Sequence, residues 1–297
     1  LYLTYQYKKA IFMRKRVSIV IPTYNEEHYL AACLQAIAAQ TVRPHEVIIV
    51  DNNSRDNTVA IAKQFPFATI VHEPRQGLFY ARNTGMDAAT GSVIARIDAD
   101  TIVEHDWVAT ITDAFADPEI SAISGPVGYH DMPLPAFCRR AENALLLMAK
   151  AGKYDFLMGA NMAVSRKAWH TIRHELCNKP FLLEDIDIAI HLMRHEMYPA
   201  YSTAMLAHVS ARRMADKPKD FLRYINGHTR TWHYHGLQPS IGSYYASSMF
   251  TFVYFGIKPL HMAFDPGRRR FSLAYARRRI EARPDPMATK YVDIERP

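Results

Sequence analysis

From Val17 onward, apolar runs of strand length alternate with segments of helical spacing. "VSIVIP" is an apolar stretch ended by a turn residue, and "EVIIVD", "ATIVHE" and "SVIARID" repeat that form. Such runs read as buried strands. Between them, "EEHYLAACLQAIAAQ" sets Leu30, Leu34 and Ile37 on one helical face. "DNTVAIAKQF", "GLFYARNTGMDAA" and "EHDWVATITDAFAD" supply three further helices. This βαβαβαβα order predicts an α/β fold with a mostly parallel central sheet and helices on both faces.

After Ala122 the rhythm changes. "SAISGPVGY" predicts a strand, "PAFCRRAENALLLMAKAG" a helix, and "LMGANMAVSRKAW" a strand running into a helix. "LLEDIDIAIHLMRHE" opens a helix at Glu184 and Asp185, and "AYSTAMLAHVS" predicts a further strand. With no internal repeat and no low-complexity linker, one continuous domain is expected.

Charge changes this picture mainly at the ends. The chain of 297 residues carries a formal +7. Residues 1–16 contribute +5 with no acid, and Lys258 onward contributes another +5, so 17–257 is acidic at −3. A nucleic-acid reader would carry a basic stripe on its core, so nucleic acid is not an expected partner. Basic ends suit an anionic membrane surface. The start, "LYLTYQYKKAIFMRKR", has no apolar core of the kind a secretory signal needs; residues 1–12 are expected to lie outside the fold. Three cysteines at unrelated spacings, with no CxxC pair, fit a reduced cytoplasmic compartment and make a thiolate zinc site an unexpected feature.

In parallel sheets, ligands bind beyond the carboxyl ends of the strands. Here those ends carry "PTYNEE", "VDNNS" and "DAD". A lone Asp after a strand is ordinarily turn or cap chemistry. Asp98 and Asp100, at alternate positions, bring two like charges together and call for a cation. A hard divalent ion shared with substrate phosphates fits them. Asp51 reads either as turn chemistry or as an acceptor for a nucleobase edge. Tyr24 offers a flat surface, Asn25 a polar group or a helix cap, and Glu26 a carboxylate. Arg82 suits phosphate oxygens, or is a solvated surface arginine. Glu184 and Asp185 complement a helix N-terminus.

These stretches together, "VSIVIPTYNEE", "VIIVDNNSRDNT", "GLFYARNTGMDAATG", "IDAD", "GANMAVSR" and "LLEDIDIAIHLMRH", resemble the family 2 glycosyltransferases in order and spacing across about Val17 to Met197. The resemblance implies a GT-A fold, the Rossmann-like fold of nucleotide-diphospho-sugar transferases. It also implies inverting transfer of a sugar from a nucleoside-diphosphate donor, most commonly a UDP-sugar, to an acceptor hydroxyl. By that resemblance Pro22, Thr23, Tyr24, Asn25, Glu26, Asp51, Asn53, Arg82, Asp98 and Ala99 bind the donor. Asp100, with Asp98, holds Mg²⁺ or Mn²⁺. Asp185 is the general base with Glu184 beside it, kept ionised by the helix dipole. Gly159, Ala160 and Asn161 line the acceptor side. A histidine satisfied within its strand is the expectation for His208.

Processive synthases of the family carry QxxRW. "HTRTW" has Arg230 and Trp232 one residue apart and no matching Gln, which favours transfer of a single sugar. The stretch 237–257, "LQPSIGSYYASSMFTFVYFGI", has no charge and reads as a buried packing helix, an interfacial segment or a membrane span. With "GRRRF" and "YARRRIEAR" after it, peripheral attachment at the inner face of the cell membrane is expected, with a glycan or lipid-linked acceptor of the cell envelope. The expected organisation is therefore a basic extension at 1–16, a catalytic domain at 17–236 (donor half 17–122, acceptor half 123–236) and a membrane-associated tail at 237–297. A nucleotide-sugar-binding protein without catalysis is the alternative. A nicotinamide oxidoreductase is excluded, since "IPTYNEE" lacks the glycines of a GxGxxG turn.

Overall fold

The computed structural model describes residues 15–132, 156–179, 181–239, 241–265 and 267–274. The predicted helix at 135–152 lies outside them, as do residues 1–14 and 275–297 of the basic ends. Four strands, β1 (Val17–Thr23), β2 (Glu46–Asp51), β3 (Ala68–His72) and β4 (Val93–Arg96), alternate with α1 (Leu30–Ala38), α2 (Thr58–Ala62) and α3 (Leu78–Ala88). The strands pair in parallel in the order β3-β2-β1-β4. The sheet continues antiparallel through β8 (Met162–Ser165) to β6 (Ala122–Ser124), which pairs parallel with β9 (Ala200–Tyr201).

The strand period of two divides the apolar residues between the two faces. Ile19, Ile21, Val47, Ile49, Val93 and Ala95 pack into one core with α1 and α4 (Trp107–Ala114). Val20, Ile48, Val50, Ile94 and Val164 pack into the other, against α3, α5 (Arg166–Ile172) and α6 (Glu184–Arg194). Each core is anchored by a fully buried tryptophan, Trp107 on the first face and Trp169 on the second.

Two predicted strands divide. "SAISGPVGY" forms β6 and β7 (Val127–Tyr129), and "AYSTAMLAHVS" forms β9 and β10 (Ala207–Val209). The break falls at Gly125-Pro126. A Cβ on Gly125 would collide with the Met205 carbonyl, and Pro126 has no N–H to continue a ladder. The second pieces join β5 (Ile102–Val103) in a small separate sheet, β5-β10-β7. It lies directly after Asp100 in sequence and leads into a 3₁₀ helix, Ala211–Ala215, so it determines what faces that carboxylate.

Helix α7 (Pro218–Tyr234) precedes α8 (Ile241–Ala263), into which most of the uncharged stretch folds. One side of α8 is packed. Tyr254 is fully buried, stacks on Phe221 at 3.8 Å, and donates to the Asp216 carbonyl at 2.5 Å. The other side exposes Phe252 (77%), Phe255 and Leu260. No helix among the described residues is long and apolar enough to cross a membrane.

Candidate active site

The carboxyl ends of β1, β2 and β4 lie on one edge of the sheet, at a site shared with the N-terminus of α6. Its centre is a residue the sequence reading passed over. Arg96, the last residue of β4, is 2% exposed. Its guanidinium reaches Asp98 Oδ1 at 2.7 Å and Glu184 Oε1 at 3.2 Å. Burial works against its charge, but Asp98, Glu184 and Asp185 together hold its pKa above the usual value. The signal was present: one arginine inside "VIARID", a run otherwise buried, must be paired to be tolerated there.

On one side of Arg96 lies the Asp98-Ala99-Asp100 turn. Asp98 remains partly exposed, while Asp100 is buried and receives Arg212 Nε on Oδ2 at 3.0 Å. Arg212 comes from the 3₁₀ helix and also grips Glu26 with both terminal nitrogens, at 2.8 and 2.7 Å. Burial pushes the Asp100 pKa up to about 7. Arg212 opposes the rise, and Asp98, Glu26 and Asp131 add to it. Burial also raises Glu26 against the pull of Arg212. The turn is therefore short of positive charge. A buried carboxylate facing three others, with Arg212 on Asp100 and Glu26 and Arg96 on Asp98, is a donor set that fits a hard divalent ion.

On the other side lie Glu184 and Asp185. Asp185 accepts from Gly159 N at 2.9 Å through Oδ2 and from Ile186 N at 2.9 Å through Oδ1. The helix N-terminus is not the only influence on this group. Burial first, and then the Glu184 carboxylate, push its pKa up to about 6, against the hydrogen bond from Gly159 and the charge of Arg96. That value lies near the range a general base needs. Gly159 has a steric reason to be glycine. A Cβ there would run into Arg96 Nη1 and stand 3.1 Å from Asp185 Oδ2.

The other candidates divide into cleft and scaffold. Asp51, buried at the end of β2, accepts from Ser54 N at 3.2 Å and lies 3.4 Å from His72 Nδ1. Tyr24 and Asn25 follow β1 at the cleft. Asn25 caps no helix: it adopts φ 55° and accepts from Arg55 N at 2.8 Å, stitching the β1 loop to the β2 loop. Asn53, also left-handed at φ 64°, donates to the Pro74 carbonyl at 2.9 Å. Pro22 and Thr23 are strand residues, and Thr23 Oγ1 donates to the Val50 carbonyl at 3.1 Å. Ala99 packs its methyl into the first core, leaving only its backbone for a ligand.

One expectation and one alternative are corrected. Asn161 does not line an acceptor surface. It is fully buried, takes Trp107 Nε1 at 2.8 Å, and donates to the Pro126 and Met205 carbonyls at 3.0 and 2.7 Å. A buried amide must satisfy its polar atoms, and here it joins the two sheets. Ala160, beside it, accepts from Thr101 Oγ1 at 3.5 Å. Arg82 is not a surface arginine. It is fully buried and donates to Asn83 Oδ1 at 2.9 Å and to the Glu184 carbonyl at 3.1 Å, leaving Nη2 without a hydrogen-bond partner. Burial lowers its pKa to about 10, with Glu184 opposing and Arg96 adding. It braces the start of α6 from below. His208 pairs with Glu104 at 2.9 Å, as a satisfied strand histidine.

The fold matches that of GT-A glycosyltransferases. The model of the family "Glycosyl transferase family 2" matches residues 18–176, more than half of the chain, and the protein belongs to that family. It is 32% identical over 120 residues to glycosyltransferase AglE of Haloferax volcanii, across 38% of this chain and 40% of that protein. The match thus spans about two fifths of that relative's length. Among solved structures, the mannosyltransferase PcManGT from Pyrobaculum calidifontis, in complex with GDP-Man and Mn²⁺, superposes with a TM-score of 0.62. Its identity is 20%, covering 93% of this chain and 84% of that one. Glucosyl-3-phosphoglycerate synthase from Mycobacterium tuberculosis, with Mn²⁺, UDP and glucosyl-3-phosphoglycerate, gives 0.53 at 18% identity, covering 76% and 82%. At these identities the likeness is one of fold.

Proposed function

We propose that this chain is an inverting glycosyltransferase that moves one sugar from a nucleoside-diphosphate-sugar to an acceptor hydroxyl. The observation that carries the reading is the position of Arg96. One guanidinium bonds Asp98 on the donor side and Glu184 on the base side, so the diphosphate carboxylates and the base flank a single cleft. Asp51, Tyr24 and Asn53 hold base and ribose. Asp100 and Asp98 would hold Mg²⁺ or Mn²⁺, which, when bound, neutralises charge on the departing diphosphate. The two complexes named above contain Mn²⁺ and agree with that choice. Arg96 keeps Asp98 and the start of α6 in register. Asp185, oriented by the Gly159 and Ile186 amides, removes the acceptor hydroxyl's proton while that oxygen attacks the face of the anomeric carbon opposite the diphosphate. One displacement of this kind inverts the centre.

The acceptor is proposed to be lipid-linked or part of a cell-envelope glycan, reached at the inner face of the membrane. The exposed Phe252, Phe255 and Leu260 on α8, followed by Arg268, Arg269 and Arg270, support this. Aromatic and basic residues together favour the headgroup zone. The test is release of nucleoside diphosphate from a donor panel, with Mn²⁺ or Mg²⁺ and envelope lipid extracts. Turnover is expected with the wild type and a loss of about 10²–10⁴-fold with Asp185→Asn. Equal turnover by that variant would refute the base assignment.

A further inference from the structure

Outside the cleft, four ligand-type side chains from three elements converge on one point. Asp187 and His191 lie four residues apart on α6 and are 1% and 3% exposed. Cys177 lies in the loop after α5, and His235 caps the end of α7. His235 Nε2 stands 2.7 Å and His191 Nε2 3.6 Å from Asp187 Oδ1. The Cys177 sulfur is 4.0 Å from each of those nitrogens. All four ligand atoms fall within 4.8 Å of one another.

We propose that Cys177, Asp187, His191 and His235 bind a structural zinc ion, separate from the diphosphate cation, that ties the loop after α5 and the end of α7 to the catalytic helix. The donor set is one sulfur, two imidazole nitrogens and one carboxylate oxygen, all of them zinc ligands. Bond lengths of about 2.0–2.3 Å give a tetrahedron with edges of about 3.3–3.7 Å. The distances in the cluster bracket those edges, so small side-chain adjustments complete the site. Four protein ligands leave no open position, which is the mark of a structural zinc site rather than a catalytic one.

The second layer is also built. His191 turns its other nitrogen, Nδ1, to Glu175 Oε2 at 3.1 Å. This is the carboxylate–histidine arrangement that fixes a ligating imidazole's tautomer and aim. Cys177 N donates to Asp187 Oδ2 at 2.9 Å, which orients the carboxylate and leaves Oδ1 facing the cluster. A cluster of buried polar groups with hydrogen bonds alone would not require the thiol to point at both imidazoles. The sequence hid this site because its ligands follow no CxxC spacing; only the i, i+4 pair Asp187 and His191 was there to be read.

The test uses the full chain carrying Asp100→Asn, so that the diphosphate cation site does not contribute. After removal of metal by a chelator, Zn²⁺ is titrated in competition with a chromophoric chelator, and Co²⁺ is used as a spectroscopic probe. One equivalent of Zn²⁺ is expected. Co²⁺ should show the intense visible bands of a tetrahedral site and a thiolate-to-cobalt charge-transfer band. Cys177→Ser should abolish that band. Glu175→Gln, which leaves every ligand in place, should weaken Zn²⁺ about 10–100-fold. It carries the test if Cys177→Ser fails to fold. No stoichiometric Zn²⁺, a Co²⁺ spectrum without the thiolate band, or unchanged affinity in Glu175→Gln would overturn the proposal. Because the readouts are metal binding and spectra, neither result depends on glycosyl transfer.

Discussion

Asp185→Asn does more than remove a base; it also removes a carboxylate that the folded protein holds at a cost. The Asp185 pKa is pushed up to about 6, from 3.8 for the unperturbed group, chiefly by burial and then by Glu184. A folded-state value above the unfolded one means that the native protein binds the proton more tightly. The proton's stabilising effect is complete below the unfolded pKa and is lost as pH rises through the folded one. Over the whole window the cost reaches about 3 kcal/mol, at 1.36 kcal/mol per unit. Between about pH 5 and about pH 7.5, a group of this pKa should lose about 1.4 kcal/mol of that stabilisation.

The amide of the variant keeps the shape but does not titrate. Its mismatch with the Gly159 and Ile186 N–H groups, only one of which an amide oxygen can readily serve, costs the same at every pH. That constant cancels when the difference between wild type and variant is followed against pH. The assay is urea unfolding of both proteins, free of metal, at about pH 5 and about pH 7.5. The variant should gain on the wild type by about 1.4 kcal/mol between the two. A difference that stays constant would show that Asp185 is an ordinary carboxylate, and the argument for a tuned base would fail. The same group predicts that kcat falls below about pH 6 as the base protonates.

Gly159→Ala should lower kcat about 10²-fold, because its methyl displaces Arg96 Nη1 beside the base; normal turnover would remove Gly159 from the positioning role. Arg212→Gln leaves Glu26 and Asp100 without their shared cation and should cost about 3 kcal/mol at neutral pH, the low end for a broken buried pair. The loss should shrink toward pH 5 as those carboxylates protonate, and equal losses in urea unfolding at both pH values would count against the pairing. Phe252→Asp with Phe255→Asp should release the full chain from anionic vesicles in a sedimentation assay, since both rings are exposed on α8; undiminished binding would move the membrane contact elsewhere.

The parallel half of the sheet was legible because its signals are local. Each apolar run ended at a polar turn, so Asp51 and the Asp98–Asp100 turn could be placed on one sheet edge before any contact was known. What escaped is long-range. Arg212 reaches Asp100 and Glu26 from a 3₁₀ helix whose position depends on the small sheet, and nothing in "SARRMAD" announces that partner. Asn161 was misread because a polar residue beside a cleft and one that joins two sheets look alike in sequence; only its burial and its saturated amide separate them. The surface alternative for Arg82 fails for a similar reason, its burial beneath α6 being invisible in "YARNTG". "SAISGPVGY" and "AYSTAMLAHVS" passed as single strands because each piece is apolar on its own, and the close approach of Gly125 to Met205 appears only in three dimensions.

The tuning of Asp185 is best understood as a balance among neighbours rather than a property of its helix. A helix N-terminus and two nearby arginines, Arg96 and Arg82, would by themselves leave a carboxylate strongly ionised and a poor proton acceptor. Burial and Glu184 oppose them and prevail. Arg96 is shared with Asp98 and Glu184, and Arg82 is spent on Asn83 and the Glu184 carbonyl, so neither cation is dedicated to the base. Any change that frees Arg96, loss of Asp98 included, therefore reaches Asp185 as well. It turns more positive charge toward the base, lowers its pKa and weakens it as a proton acceptor. The donor carboxylate and the catalytic one are coupled through that single buried guanidinium, which is why damage on one side of the cleft should be felt on the other.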